Sequence, residues 1–497
     1  MQSCDSGGAG EKARACVIRL AMDSPTETFL AEAVALLGPR GLTRDTDLVT
    51  PWLTDWRGRF TGSAIALAAP ASADELAALV RLCSAYKVPM VPQGGNSGMC
   101  GGATPDASGT ALLISMRRMN AIRHIDVAAR QVICESGVVL QSLHEAVAAK
   151  GLRFPLTLGG KGSATIGGLI STNAGGTQVL RHGSMRASVL GLEAVLADGS
   201  VYRALTPLKK DNRGFDLKQL FIGSEGTLGI VTAATLRLLP AIADRVVIWA
   251  GLPSITAARA LLLHCEAAAG ESLEGFEIVP HSCLKSVLAH LPDARAPLSA
   301  SHPWYALIEL VADADGAAQL GASAEAVLAS AFERGLVDDA VLSANEAQAE
   351  ALWLLRDMVA PAERAHGPAV QHDISVPVER MPAFIEMAVP HIEASFPGVR
   401  AVAFGHLGDG NVHFHVIAPP GTPHGEWEID AGKPISRAVH DLVVAWDGSI
   451  SAEHGIGQLK RDELVRLGDP AALMLMRSVK AALDPAGLLN PGKLVSP

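Results

Sequence analysis

The sequence has no Cys-x-x-Cys pair. Its seven cysteines, Cys4, Cys16, Cys83, Cys100, Cys134, Cys265 and Cys283, stand singly, which argues against an iron–sulfur cluster or a cysteine zinc site. Their odd number and wide scatter fit a reducing compartment, and a cytoplasmic location is expected. Aromatic residues make up only 4% of the chain, too few for a surface that stacks nucleobases. There is no long basic run and the formal charge is -10, so nucleic acid is not an expected partner. Apolar runs are short; Ala64 to Ala69, for example, ends at a proline, and no run reaches the length of a transmembrane span. Residues 1–21 lack an apolar core followed by a cleavage-like site, which argues against a secretory signal. This segment reads as disordered or as an artefact of start-codon choice; a weak organelle presequence is the competing reading, and Asp5 and Glu11 count against it.

What the chain does have is core and glycine. It carries 497 residues, 49% of them hydrophobic, ample for two or three domains. Residues 22–60 read as an N-terminal helix, stopped at Gly38-Pro39, and a linker. Residues 61–240 hold strands, a helix after Ser72, and two glycine-rich loops. The first loop is Pro92 to Gly102, PQGGNSGMCGG. Its glycines let backbone amides turn inward to meet phosphate, yet it matches neither a Walker nor a Rossmann pattern. The second runs from Gly159 to Ser184, GGKGSATIGGLISTNAGGTQVLRHGS. Glycine at that density, with small hydroxyls between, points to a backbone pressed against a large flat or charged ligand. Residues 241–430 read as a second domain, and within it residues 241–400 alternate strand and helix patterns, which predicts an antiparallel sheet covered by helices. Residues 431–497 read as a helical C-terminal segment.

The densest chemistry lies in FGHLGDGNVHFHV, Phe404 to Val416. His406 and His413 flank a Gly-Asp-Gly-Asn turn that folds two strands together. Neutral imidazoles converging this way suit a metal. Further on, SAEHGIG places Glu453 beside His454. Glu453 completes a ligand set of two imidazoles and a carboxylate, which favours zinc and leaves manganese, cobalt or iron open. His454 is then a ready base. Asp409 and Asn411 read as turn formers, and His366 and His372 as structural.

VPQGGNSG, TIGGLISTNAGG, LRHGS, GSEGTLGIVT, FGHLGDGNVH, SAEHGIG and LDPAGLLNPGK occur here in one order. Together they resemble the FAD-linked D-2-hydroxyacid dehydrogenases of the vanillyl-alcohol-oxidase superfamily, in the D-2-hydroxyglutarate and D-lactate dehydrogenase group. The resemblance spans nearly all of residues 45–494. It implies an α+β fold: an FAD domain in two subdomains, an antiparallel-sheet substrate domain and a C-terminal helical piece returning to the flavin. It assigns to FAD the residues Pro92, Gln93, Gly94, Gly95, Asn96, Ser97 and Gly98, then Ser163, Gly167, Gly168, Asn173, Gly175, Gly176, Arg181 and Gly183, and lastly Gly226, Ile230 and Asn490. Oxidation of a D-2-hydroxy acid to the 2-oxo acid follows, with hydride passing to flavin and His454 taking the hydroxyl proton. An electron-transfer flavoprotein or a quinone is the implied acceptor, and a homodimer the implied assembly.

Arg356 is the expected carboxylate grip, since its planar fork matches carboxylate geometry. Three positions depart from the hydroxyglutarate pattern. Ala360 stands where that pattern has threonine, Gln371 where it has lysine and His415 where it has asparagine. Gln371 and His415 can still donate hydrogen bonds to substrate. A D-2-hydroxyglutarate-like substrate is favoured, with D-lactate, D-malate or another short D-2-hydroxy acid as alternatives. A non-catalytic flavin subunit and a metal hydrolase are the competing classes.

Overall fold

The computed structural model describes residues 24–495; the expectation for residues 1–21 lies outside them. Three sheets organise the chain. The first has four strands in the order Leu42–Thr43, Ala66–Ala68, Leu112–Ser115, Met90–Gln93. The last three run parallel, because the helix Ala73–Tyr86 crosses between the strands Ala66–Ala68 and Met90–Gln93. As expected, Ser72 caps that helix, its Oγ accepting from Glu75 N. The second sheet is antiparallel, ordered Ile122–Asp126, Gln131–Glu135, Ile230–Arg237, Val189–Val195, Val201–Ala204. The Asp198-Gly199 turn closes its final hairpin.

The third sheet fills the second half of the chain. Its seven antiparallel strands run Asp339–Leu342, Asp244–Leu252, Trp304–Ala312, Leu273–Pro280, Arg400–His406, Asn411–Ile417, Ala369–Ser375. Alternation along each strand divides the two faces. Phe276, Ile278, Ala403, Val412, Phe414 and Val416 enter a core under the helices Ile255–Ala269, Ala317–Glu333 and Met381–Ser395. Glu277, His406, His413 and His415 fall on the opposite face. There the helices Glu346–Asp357 and Val359–Ala365 pack around Phe404.

The expected division at residue 430 is corrected by this packing. The helix Gly432–Ala445 puts Ile435, Val439 and Val443 into the same core as Phe414 and Val416. Its amphipathic face needs the sheet's apolar face for cover. The chain leaves for the first domain only after Ser449, which bridges Ser375. At the far end the tail adds to the first sheet: Met90 N donates to Leu488 O and Asn490 N to Met90 O, both at 2.8 Å.

One buried carboxylate ties the large sheet to the glycine-rich segment. Glu274 accepts from Arg153, from Arg181 at 3.0 Å and faces His182 at 3.3 Å. Burial pushes its pKa up, but His182 and Arg153 outweigh burial and bring it down to about 2. A carboxyl lowered from 4.5 in this way stabilises the fold above its unfolded value, and the contribution is lost as pH falls towards 2. Replacing Glu274→Gln is therefore expected to destabilise the protein at pH 7 by about 3 kcal/mol. The gap between wild type and variant should narrow from about pH 5 downward and close only near pH 2, measured by urea unfolding; a gap constant from about pH 5 to about pH 3 would sink the linkage.

Candidate active site

The hairpin meets expectation. His406 ends one strand and His413 lies on the next, with Phe404 opposite His413 in the register. Gly410 makes the turn possible: its φ is +80° and a Cβ there would lie 2.2 Å from Val376 O. Asp409 Oδ1 accepts from Asn411 N at 3.0 Å, the expected turn. Asn411 does more, since its amide nitrogen also donates to Asp373 Oδ1 and Ile374 O. His372 is structural as expected, bonded to Phe414 O and Ser436 Oγ.

His406, His413 and Glu453 each offer a ligand atom within 4.8 Å of the other two. The imidazole planes of His406 and His413 stand nearly perpendicular, 5.2 Å apart. Glu277 lies beside His406 in the register and bonds its Nδ1. That contact fixes the tautomer and leaves Nε2 free, 3.8 Å from Glu453 Oε1. Glu453 Oε1 is buried and has no hydrogen-bond partner among the described residues. Such a set, with one nitrogen oriented from behind and one carboxylate oxygen unsatisfied, fits a divalent cation.

The charges follow from burial and pairing. Burial raises the Glu277 pKa, but Arg356 and His406 overcome it and hold the group well below the carboxylate range. Burial would lower His406, but Glu277 lifts it to about 9. His413 is kept neutral by burial and by the neighbouring His406 and Arg356. Burial raises Glu453 to about 7, with His406 pulling against it. Arg356 is buried, its Nε donates to Glu277 Oε2 at 2.8 Å, and it lies over the Phe404 ring.

Asp373 positions the Glu453-His454 pair. Its Oδ2 accepts from both backbone amides at 2.8 Å. His454 Nδ1 lies 3.6 Å from the same oxygen, which leaves Nε2 as the free nitrogen. Burial lowers the His454 pKa and Asp373 opposes it, with the net shift downward. From the other side Glu225 accepts from Ile456 N and Gly457 N, and Lys460 donates to Asp373 O and Ile450 O. Glu277, Asp373 and Glu225 escaped the sequence reading. The one available signal was a carboxylate inside an otherwise apolar strand such as GFEIVP.

The glycine-rich loops lie against each other as well as facing the cavity. A Cβ on Gly95 would sit 1.7 Å from Ser163 O, so this glycine serves loop-on-loop contact rather than ligand approach alone. Several side chains expected at FAD are occupied within the protein. Gln93 belongs to the strand Met90–Gln93 and its amide donates to Trp52 O and Ala103 O. Asn96 donates to Thr54 O, and Asn173 accepts from Ser184 Oγ and Arg186 N. Arg181, expected to offset diphosphate charge, instead pairs with Glu274, the nearest buried anion. Asn490 donates to Gly102 O and Glu225 O, and Ile230 is core. Gly226 abuts Pro92, Gly183 ends a helical turn, and Ser163 leans on Gly160 O. Around Gly98 and Gly162 there is open space. The cradle is thus mainly one of backbone groups, framed by these tied side chains.

A cavity of about 820 Å³ joins the two halves. It is lined by Gly159, Lys161 and Gly176 of the second glycine-rich segment and by His406, His413 and Glu453. Removing the clamp on the Glu453-His454 pair tests its role. Asp373→Ala leaves the amides of residues 453 and 454 without their acceptor and removes one of the two acceptors of the Asn411 side chain, a cost of about 3 kcal/mol. It should also speed hydrogen exchange at the amides of residues 453 and 454 selectively; unchanged exchange there would refute the clamp.

Two family models match the chain: "FAD linked oxidases, C-terminal domain" over residues 242–494 and "FAD binding domain" over residues 64–205. D-2-hydroxyglutarate dehydrogenase of Bos taurus, a mitochondrial protein, is 38% identical over 481 residues, covering 96% of this chain and 85% of the relative. The D-2-hydroxyglutarate dehydrogenase of Xanthomonas citri pv. viticola is also 38% identical, covering 88% of this chain and 91% of its own length. Among solved structures, p-cresol methylhydroxylase with substrate bound superposes with a TM-score of 0.73 at 15% identity, covering 95% of this chain and 98% of that one. Alkyldihydroxyacetonephosphate synthase gives 0.69 at 18% identity, covering 93% and 84%. These two show the fold. With the residues above in place, the chain belongs to the FAD-dependent D-2-hydroxyacid dehydrogenases of the vanillyl-alcohol-oxidase superfamily.

Proposed function

We propose that the chain oxidises a D-2-hydroxy acid of the D-2-hydroxyglutarate type to the 2-oxo acid, with a divalent metal, zinc first, held by His406, His413 and Glu453. The observation that carries this reading is the convergence of those three groups in one cavity with the glycine-rich segment. The relatives named D-2-hydroxyglutarate dehydrogenase support the substrate type. When bound, the metal supplies a Lewis acid for the substrate hydroxyl and one carboxylate oxygen, and FAD supplies the acceptor for the hydride of C2.

The chain's own residues do the rest. Arg356 grips the substrate carboxylate with its terminal nitrogens, its Nε being held by Glu277. His454 takes the hydroxyl proton at Nε2 while Asp373 faces Nδ1. Glu277 keeps His406 oriented, so that the hydroxyl is met at one place. Electrons then leave to an electron-transfer flavoprotein or a quinone, in a cytoplasmic homodimer. Among the described residues the five cysteines are buried and unpaired, in keeping with a reducing compartment, and no helix is long and apolar enough to cross a membrane.

A panel of D- and L-2-hydroxy acids, run with and without a chelator, tests this. D-acids should bleach the flavin absorbance and L-acids should not. Chelation should lower the rate at least about 100-fold, with zinc restoring it. Full rate after verified metal removal would overturn the metal role. His454→Gln should lower kcat by a factor of about 100 or more. Since the His454 pKa is lowered, the wild-type rate should persist below the ordinary histidine pKa of 6.5 before falling at acid pH. A kcat that is lost already above that value would remove His454 as the base.

A further inference from the structure

The cavity extends to a group of cations that the steps above leave idle. Arg57, Arg59 and Arg364 line it beside Gln371 and His415. Arg57 comes from the linker and reaches across to the substrate domain, its Nη1 donating to Gln371 Oε1 at 2.6 Å. It also meets Met99 Sδ at 3.4 Å and stands over the Trp56 ring, 5.5 Å from its centroid. Among the described residues no carboxylate lies within ion-pair distance of these three guanidinium groups, and Arg59 and Arg364 act on Arg57 as like charges. Three polar atoms here are buried and have no partner: Arg57 Nε, Gln371 Nε2 and His415 Nδ1. Two of them are certain donors and the third is one in the right tautomer. Three buried polar atoms around the Arg57 cation, left without an acceptor, are costly unless an anion enters.

Its place relative to the metal ligands sets the length of that anion. Gln371 and His415 are cross-strand partners, and Asp373 and His413 form the next pair but one in the same register. His415 therefore projects from the same face as His413, two residues or about 7 Å along the strand. The carboxyl carbons of an extended five-carbon diacid lie about 5 Å apart, since carbon–carbon bonds are about 1.5 Å. A hydrogen bond at the far end spans the remainder.

We propose that Arg57, with Gln371 and His415, binds a second carboxylate at the far end of the substrate, so that this enzyme selects four- and five-carbon 2-hydroxy diacids over monoacids. The inference rests on the function proposed above. The cation comes from the linker, and Gln371 holds it in place by accepting from Arg57 Nη1. Arg59 and Arg364, both more exposed, draw diacids to the mouth.

The test compares D-2-hydroxyglutarate and D-malate with D-2-hydroxybutyrate and D-lactate, on wild type and on Arg57→Met holoenzyme. Wild type should favour the diacids. In Arg57→Met the diacid-to-monoacid ratio of kcat/KM should fall about 100-fold, mainly through KM, as expected for a lost charged hydrogen bond. Arg57→Lys should recover part of it. Equilibrium binding of glutarate against butyrate, read by the flavin spectrum, should show the same loss. An equal decline on all four acids, or a wild type that prefers monoacids, overturns the subsite. A wild type that oxidises no D-2-hydroxy acid overturns the proposed function instead, and the glutarate-to-butyrate binding ratio then decides the subsite by itself.

Discussion

Glu277 is a carboxylate with no solvent exposure in the middle of a seven-stranded sheet. A charge in that position is tolerated only when partners reach it from several directions. Arg356 comes from the helix Glu346–Asp357 and His406 from the neighbouring strand. Satisfying one buried anion thus sets the angle of an imidazole, its protonated nitrogen and the placement of a guanidinium. The same requirement locks a helix to the sheet face that carries the hairpin.

A second pair of buried carboxylates does the corresponding work for the C-terminal loop. Asp373 lies in the seven-stranded sheet and Glu225 just ahead of the strand Ile230–Arg237 of the five-stranded sheet, and each accepts from two successive backbone amides within residues 453–457. The loop is suspended between these two carboxylates by four hydrogen bonds to charged acceptors, which are stronger than neutral ones. Glu453 and His454 are in this way placed on the wall of the cavity between the two sheets. Lys460 balances some of this negative charge from beneath, through Asp373 O and Ile450 O.

The division of labour among side chains is also a matter of electrostatics. Arg181 is taken by Glu274 because an unpaired buried carboxylate captures the nearest cation. Among the described residues Arg57 has no carboxylate partner, and it lines the cavity. Two arginines that look alike in composition thereby have opposite roles.

Much of this was legible in the chain itself. The Gly-Asp-Gly-Asn turn between His406 and His413 read as a hairpin, and the structure forms it. Ser72 capped its helix as read, and the alternation in residues 241–400 gave the antiparallel sheet. Local chemistry suffices for these, because turn residues, caps and alternation act over a few neighbouring positions. Other features were decided only in three dimensions. Glu277 meets His406 across 129 positions of chain, Arg57 meets Gln371 across 314, and the helix Gly432–Ala445 joined the substrate core rather than the tail. Nothing near these residues in sequence names their partners. Which charge is neutralised, and which is left free to bind, depends on what burial brings within a few ångströms, and only the packed chain determines that.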